Sequence, residues 1–323
     1  MTALAERKVA AVIGALVADA AAQPLHWNYK TDKLDAMLEG KEEVVFWEPS
    51  ANPFYRIKTG KLSCYGDQSY VILKSLVDCN GLDMRDLNKR TFEMFGPDSD
   101  YEDKTNAVYK DKSDAEKKTY PIDAPWRNAS IKNFIKQYQA GNEETGMKDE
   151  QMDGVLRLVS VVALYAGRPE MLEKVEDVVT STQNSDTSLA VCLSAARILE
   201  YYILNGQCTD GVDQAINQLS DPKRNNPTDL DKAMAGKLRQ VLVIPGAFQS
   251  AVHGVVTNTE YTTGVRTTIR AGGCNCSRGG FIGACLAAQY GVESIPEAWK
   301  EKTLLYKEIS DLAQKLVGIQ LGS

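Results

Sequence analysis

The segment AGGCNCSRGGFIGACLAAQYG, residues 271 to 291, concentrates the chain's most reactive side chains. Cys274 and Cys276 form a Cys-x-Cys step after a glycine pair, ahead of a helix expected to run through Ile282 and Leu286. A helix N-terminus lowers a thiol pKa, and Arg278 would add to that effect. The chemistry within reach is a thiolate site or a redox pair; the bland alternative is a packed, idle thiol. Zinc would ask for paired CxxC steps or histidine ligands, and His26 and His253 are the only histidines in the chain.

A second reactive position is Asp67 in Gly66-Asp67-Gln68-Ser69, directly before the apolar pattern Val71, Ile72, Leu73, Leu76 and Val77. Asp67 also suits a helix N-cap. Asp19 follows a long apolar run and can serve a substrate or bond loop backbone. Asp153 can cap a helix beginning at Val155, leaving Arg157 to partner a carboxylate. His26 and Trp27 read as structural before they read as base and stacking platform. Serine-hydrolase elbows, P-loops and dinucleotide fingerprints have no counterpart here.

These segments, in this order, resemble the ADP-ribosylglycohydrolase family (DraG-like hydrolases). The stretch from Ala10 to Trp27 is similar to the family's opening helix, with Gly14, Asp19 and Pro24 matching and Ala18 and Ala22 in place of glycines. Gly66-Asp67-Gln68-Ser69 stands where the family has Thr-Asp-Asp-Thr, and Gly273-Cys274-Asn275-Cys276-Ser277 where it has Gly-Asp-x-Asp-Thr. Asp153-Gly154-Val155-Leu156-Arg157 and Thr182-Gln183 echo the middle signatures. The resemblance implies an all-α, compact orthogonal bundle of many helices, with the Asp67 and Cys274 motifs meeting at one cleft. It also implies a pair of magnesium or manganese ions at positions 66 to 68, 274, 276 and 277. Here those positions hold Gly66, Asp67, Gln68, Cys274, Cys276 and Ser277, of which only Asp67 brings an obligatory negative charge. Magnesium prefers hard oxygen ligands to sulfur. The expectation is therefore a degenerate site without the metals, with Asp19, Asp67, Cys274 and Cys276 as remnants of catalysis. The forms GDQS and GGCNCSR are nearest the branch containing eye-lens crystallins and related selenoproteins, which implies a structural lens role in the cytoplasm. An active or thiol-dependent hydrolase with an altered metal set, and a metal-free binder of ADP-ribose, are the alternatives.

The rest of the chain must position these groups. Its 323 residues, 43% of them apolar and 25% charged, suffice for a large core. No linker-like run divides them, so one domain over 1–323 is expected, with a polar surface excursion at about 96–128. The net charge of −6 argues against nucleic acid or an anionic membrane as partner, while self-association at high concentration stays open. Glu6 and Asp19 bracket an N-terminal apolar stretch read as a buried helix too short for a bilayer. Seven scattered cysteines fit a reducing compartment. Helical periodicity covers Leu4–Ala22, Tyr70–Cys79, Ile131–Tyr138, Val155–Tyr165, Leu189–Leu204, Val212–Leu219, Leu230–Ile244 and Leu304–Leu316, with a loop at Leu219–Asp229. Ser185 or Asp186 is suited to cap the helix that Asn205-Gly206 closes, Pro296 fits a first helical turn, and Val44–Phe46 is a short strand candidate.

Overall fold

A computed structural model describes residues 1–102, 120–217 and 246–322. The periodic segments fold as helices: α1 (Ala3–Ala22), α2 (Thr31–Leu38), α3 (Cys64–Asp78), α4 (Met84–Phe95) and α5 (Ala129–Gln139) make the first half. They are followed by α6 (Asp153–Arg157), α7 (Val159–Tyr165), α8 (Met171–Thr180), α9 (Asp186–Asn205) and α10 (Gly211–Asn217). The C-terminal third holds α11 (Gly246–Thr257), α12 (Tyr261–Arg270), α13 (Asn275–Tyr290), α14 (Glu297–Lys302) and α15 (Tyr306–Val317). Among the described residues there is no β-strand, only isolated bridges such as Asn28 with Gly273. The expected helix at Leu230–Ile244 and loop at Leu219–Asp229, and residues 103–119 of the polar excursion, lie outside the described residues.

The core is organised on α1 and α13. Both are rich in alanine and glycine, and both are buried through most of their length, Val9 to Ala22 in one and Asn275 to Ala288 in the other. Small side chains let the two backbones touch. A methyl group placed on Gly283 would lie 2.5 Å from the Gly14 carbonyl oxygen and 2.8 Å from the Ala18 Cβ. That Gly14 carbonyl also accepts a 2.7 Å bond from the Tyr261 hydroxyl, which ties α12 to the crossing. At Gly280 a Cβ would meet a Leu156 methyl at 2.5 Å, a side-chain contact and not a backbone one, whereas Gly279 has room for a Cβ.

Caps set the helix boundaries. Ser63 receives the Tyr65 and Gly66 amides and starts α3 at Cys64, several residues before the expected start. Ser185 caps α9, and Gly206 at φ 76° ends it. Pro296 occupies the N-cap of α14, one residue ahead of the first turn. The segment from Val155 to Tyr165 divides at Leu158, whose ψ of −17° tightens the turn between α6 and α7. Val44–Phe46 is not a strand: all three residues are buried, and Phe46 turns at φ 49° so that its amide bonds the Ala21 carbonyl at the end of α1. A run buried on every side has no face to alternate. With the 3-10 turn Gln23–Leu25, the first helix is longer than its sequence reading and reaches membrane-spanning length, as does Asp186–Asn205. In both, the apolar window is mostly inside the protein, 94% and 78% respectively, as in core helices.

The α1–α13 contact gives a direct test. Replacing Gly283 by leucine forces the helices apart and should lower stability by about 1–3 kcal/mol, read as a drop in the urea midpoint. An unchanged midpoint would place this face outside the core.

Candidate functional site

Two consecutive left-handed residues, Gly272 at φ 69° and Gly273 at φ 66°, carry the chain into α13. A side chain on Gly272 would strike the Asn28 carbonyl, 2.5 Å from its Cβ position, so glycine is required here on both counts. Paired bonds from the Trp27 amide to the Gly273 carbonyl (2.9 Å) and from the Gly273 amide to the Asn28 carbonyl (2.8 Å) hold the turn against the end of the first helix. Cys274 is thereby set at the N-cap of α13, directly over His26.

The Cys274 Sγ lies 3.7 Å from the His26 Nε2, 3.6 Å from the Tyr65 hydroxyl and 3.0 Å from the Ser277 hydroxyl. The His26 Nδ1 is 2.9 Å from the Tyr55 hydroxyl. A thiol beside an imidazole that is oriented by a third group is the layout of an activated nucleophile. Its electrostatics are those of a core instead. Cys274, Cys276, His26 and Tyr65 are all fully buried, beneath Trp27, whose ring meets Phe54, Tyr55, Tyr65 and Trp126 edge to face. Burial raises the Cys274 thiol pKa, and bonds from Ser277 and Tyr65 offset it only in part; Cys276 is pushed up further, by burial and then by Asp19. Burial, then Arg278, drives the His26 pKa well down. The expected lowering of the thiols by the helix end is therefore overturned, because desolvation outweighs the dipole.

Asp19 takes the structural role. Its carboxylate accepts from the Ser63 amide (2.7 Å) and the Ser63 hydroxyl (2.6 Å), so α1 grips the N-cap of α3. Burial lifts its pKa to about 6 against those bonds. A Cβ on Gly66 would meet the Asp19 Oδ2 at 2.1 Å, so a threonine, as in the family motif, would not fit this arrangement. Asp67 lies inside the first turn of α3, not at its N-cap, and accepts a 2.6 Å bond from the Tyr101 hydroxyl. It faces a cavity of about 320 Å³ lined also by Lys61, Met94 and Leu305. The Gln68 amide is buried and donates to the Cys64 carbonyl, 3.0 Å away. The two motifs thus meet through Tyr65 and Cys274, while Asp67, on the same helix turn as Tyr65, bonds Tyr101 from another segment.

The middle signatures form a neighbouring polar cluster. Asp153 does not cap a helix with its side chain; it accepts from the Asn128 amide (2.7 Å) and the Ser130 hydroxyl (2.9 Å), and α6 begins at Asp153 itself. Arg157 bonds Thr182 and Ser181 hydroxyls, and Gln183 bridges the Gly154 amide and the Gln151 carbonyl. Tyr55, Tyr65, Tyr101 and Ser63 were not singled out from sequence. Of these, only Ser63 carried a signal, as a capping residue just ahead of the α3 periodicity.

A pair of divalent cations needs several carboxylate oxygens close together. The donors here are one carboxyl bonded to a tyrosine, an amide committed to backbone, and buried thiols with raised pKa, which do not fit such a pair. Among the described residues no three His, Cys, Asp or Glu side chains are grouped to hold a metal ion.

Asp67 gives the site a measurable signature. Burial chiefly, and then repulsion from Asp19, lifts its pKa from 3.8 to about 7, with the Tyr101 bond acting against them. Between those values the folded protein keeps a proton that the unfolded chain has lost, so stability falls as pH rises through that window. Urea midpoints measured across it should decline toward neutral pH. Asp67→Asn should flatten the decline, leaving the shares of Asp19, Asp149 and Asp153, whose pKa values burial also raises; an unchanged slope would show that Asp67 ionises freely.

Comparison with known proteins agrees with this geometry. The family model for ADP-ribosylglycohydrolase matches residues 1–322. The chain is 34% identical over 319 residues to Crystallin J1A of Tripedalia cystophora, covering 96% of both chains. It is 32% identical over 320 residues to Crystallin J1B of the same organism, covering 97% of this chain and 96% of that one. An ADP-ribosylglycohydrolase-related protein complex superposes with a TM-score of 0.71 at 17% identity, over 99% of this chain and 100% of that chain, which speaks to the fold. With the family model spanning the chain, and the Asp19, Asp67 and Cys274 segments brought together in space, the protein belongs to the ADP-ribosylglycohydrolase family.

Proposed function

We propose that the protein is a structural crystallin of the eye lens, a refractive protein of the lens-cell cytoplasm built on the ADP-ribosylglycohydrolase scaffold, and that it does not hydrolyse ADP-ribosyl bonds through a dinuclear metal site. The observation that carries this reading is that Cys274 and Cys276, at positions where the family resemblance implies metal carboxylates, are buried thiols with raised pKa, while the carboxyl of Asp67 is bonded to Tyr101. The crystallin names of relatives matched along the whole chain support the tissue role. Hydrolysis would need a polarised glycosidic carbon and an activated water. A neutral thiol under an aromatic cover supplies neither. The acidic balance of −6 supports solubility without affinity for nucleic acid or anionic lipid.

The assay is release of ADP-ribose from an ADP-ribosylated protein in magnesium, manganese or zinc. No turnover is expected in any of them, and millimolar magnesium or manganese should leave the urea midpoint unmoved, since neither ion binds the folded state. Metal-dependent turnover that is lost in Asp67→Asn would replace this reading with that of a hydrolase. Calorimetric titration with ADP-ribose tests whether the scaffold keeps recognition without catalysis; no heat of binding is expected.

A further inference from the structure

A groove between α11, α12 and the middle of α13 opens into a cavity of about 490 Å³, separate from the one at Asp67. Its mouth is formed by the exposed residues His253, Thr257 and Thr267, and its lining includes the buried Arg278, Thr268 and Ile282. The volume is in the range that takes a small molecule.

Arg278 is the unusual element. It is only 1% exposed, yet it is a guanidinium, a group that stays charged in proteins. Its Nε donates to the Thr268 hydroxyl (3.2 Å), and its Nη2 donates to the carbonyls of Thr268 (3.0 Å) and Gly272 (2.6 Å). These contacts dock it on the C-terminal end of α12, where a cation is favoured. They do not satisfy it. The Nη1 is buried without a hydrogen-bond partner among the described residues. The ionisable groups acting on the guanidinium are Cys274, Tyr29 and Cys276; burial keeps the two thiols neutral near neutral pH, and the phenol of Tyr29 is neutral there by its own chemistry. A full positive charge thus sits in the core with carbonyl and hydroxyl partners, one idle N–H and no carboxylate among the groups that act on it. Buried charges are ordinarily paired, because an unpaired one carries its whole desolvation cost.

We propose that this cavity binds a small molecule through an oxyanion, a carboxylate or phosphate, received by Arg278, with the remainder of the ligand lying between His253, Thr257 and Thr267. An oxyanion supplies what the site lacks, a negative charge and an acceptor for the free N–H. The Thr267 hydroxyl and the His253 imidazole at the mouth offer further polar contacts to the ligand body, while the Thr257 hydroxyl already donates to the His253 carbonyl. The site is independent of the lens role and of the remnant motif, since neither Asp67 nor the Cys274 thiol contributes to its lining.

The test uses the full chain and the oxyanions themselves. Thermal unfolding midpoints are measured in inorganic phosphate, in acetate and in chloride at matched ionic strength. Phosphate or acetate should raise the midpoint beyond chloride with a saturating dependence, as expected for binding to the folded state alone. The arm that responds identifies the oxyanion. Phosphate also stabilises proteins by exclusion from their surface, so the decision rests on variants. Thr267→Glu, at an exposed position, brings a competing carboxylate to the mouth and should weaken the apparent anion affinity at least tenfold. Arg278→Lys keeps the charge, loses the idle N–H, and should weaken it likewise. Absence of an excess over chloride in the parent, or the same anion dependence in parent and Thr267→Glu, overturns the proposal. Thr267→Glu decides the matter even if Arg278→Lys does not fold.

Discussion

The contact between the backbones of Gly14 and Gly283 is the constraint on which the rest of the molecule depends. Two helices can approach this closely only where neither presents a Cβ, and the surrounding alanines of α1 and α13 keep the interface shallow along its length. Close approach leaves no solvent between them, so a polar group at the crossing must find its partner within the protein. Asp19, on α1, meets this demand by holding Ser63 and so starting α3. The Tyr261 hydroxyl adds a bond to the Gly14 carbonyl at the point of contact.

The same tightness explains the electrostatics around Cys274 and Cys276. Cys276 sits about two turns from the crossing, its Sγ 3.8 Å from the Asp19 carbonyl, and Cys274 is enclosed by His26, Tyr65 and Ser277. A carboxylate at either place would be an ion in the core. A thiol can stay neutral there and pack as a small apolar group. The glycine at position 66 belongs to the same arrangement, since it leaves space for the Asp19 carboxylate. Neutral thiols at Cys274 and Cys276 and a side-chain-free position 66 all serve the packing of this one core.

Much of the scaffold was legible in the sequence. Helical periodicity located α1, α5, α9 and α15, and the order of motifs placed Cys274 at the start of a helix and near the segment of Asp67. The role of Asp67 was not legible, because its partner Tyr101 comes from a distant segment with no pattern of its own. Burial could not be read either. Sequence put Cys274 and Cys276 at a helix N-terminus, where a thiol is acidified, and only their enclosure by aromatic rings shows desolvation to be the larger effect. Arg278 was read as an aid to those thiols; its hydrogen bonds instead run to the carbonyls of Thr268 and Gly272.

Burying charge is costly, and the molecule treats its charged groups unequally. Asp19, Asp67 and Asp153 can relieve the cost by taking up a proton, and burial raises the pKa of each accordingly. A guanidinium has no comparable way to become neutral near physiological pH. Arg157 answers this with hydroxyl partners and with the neighbouring Asp153 carboxyl, whose pKa it holds down against burial. Arg278 has hydroxyl and carbonyl partners but only neutral thiols and a phenol in place of that carboxylate. The contrast between two buried arginines in one core, one facing an acid and one facing a cavity, follows from their surroundings and not from their own chemistry. It is the point at which the packing that silences the thiols leaves a charge still to be answered.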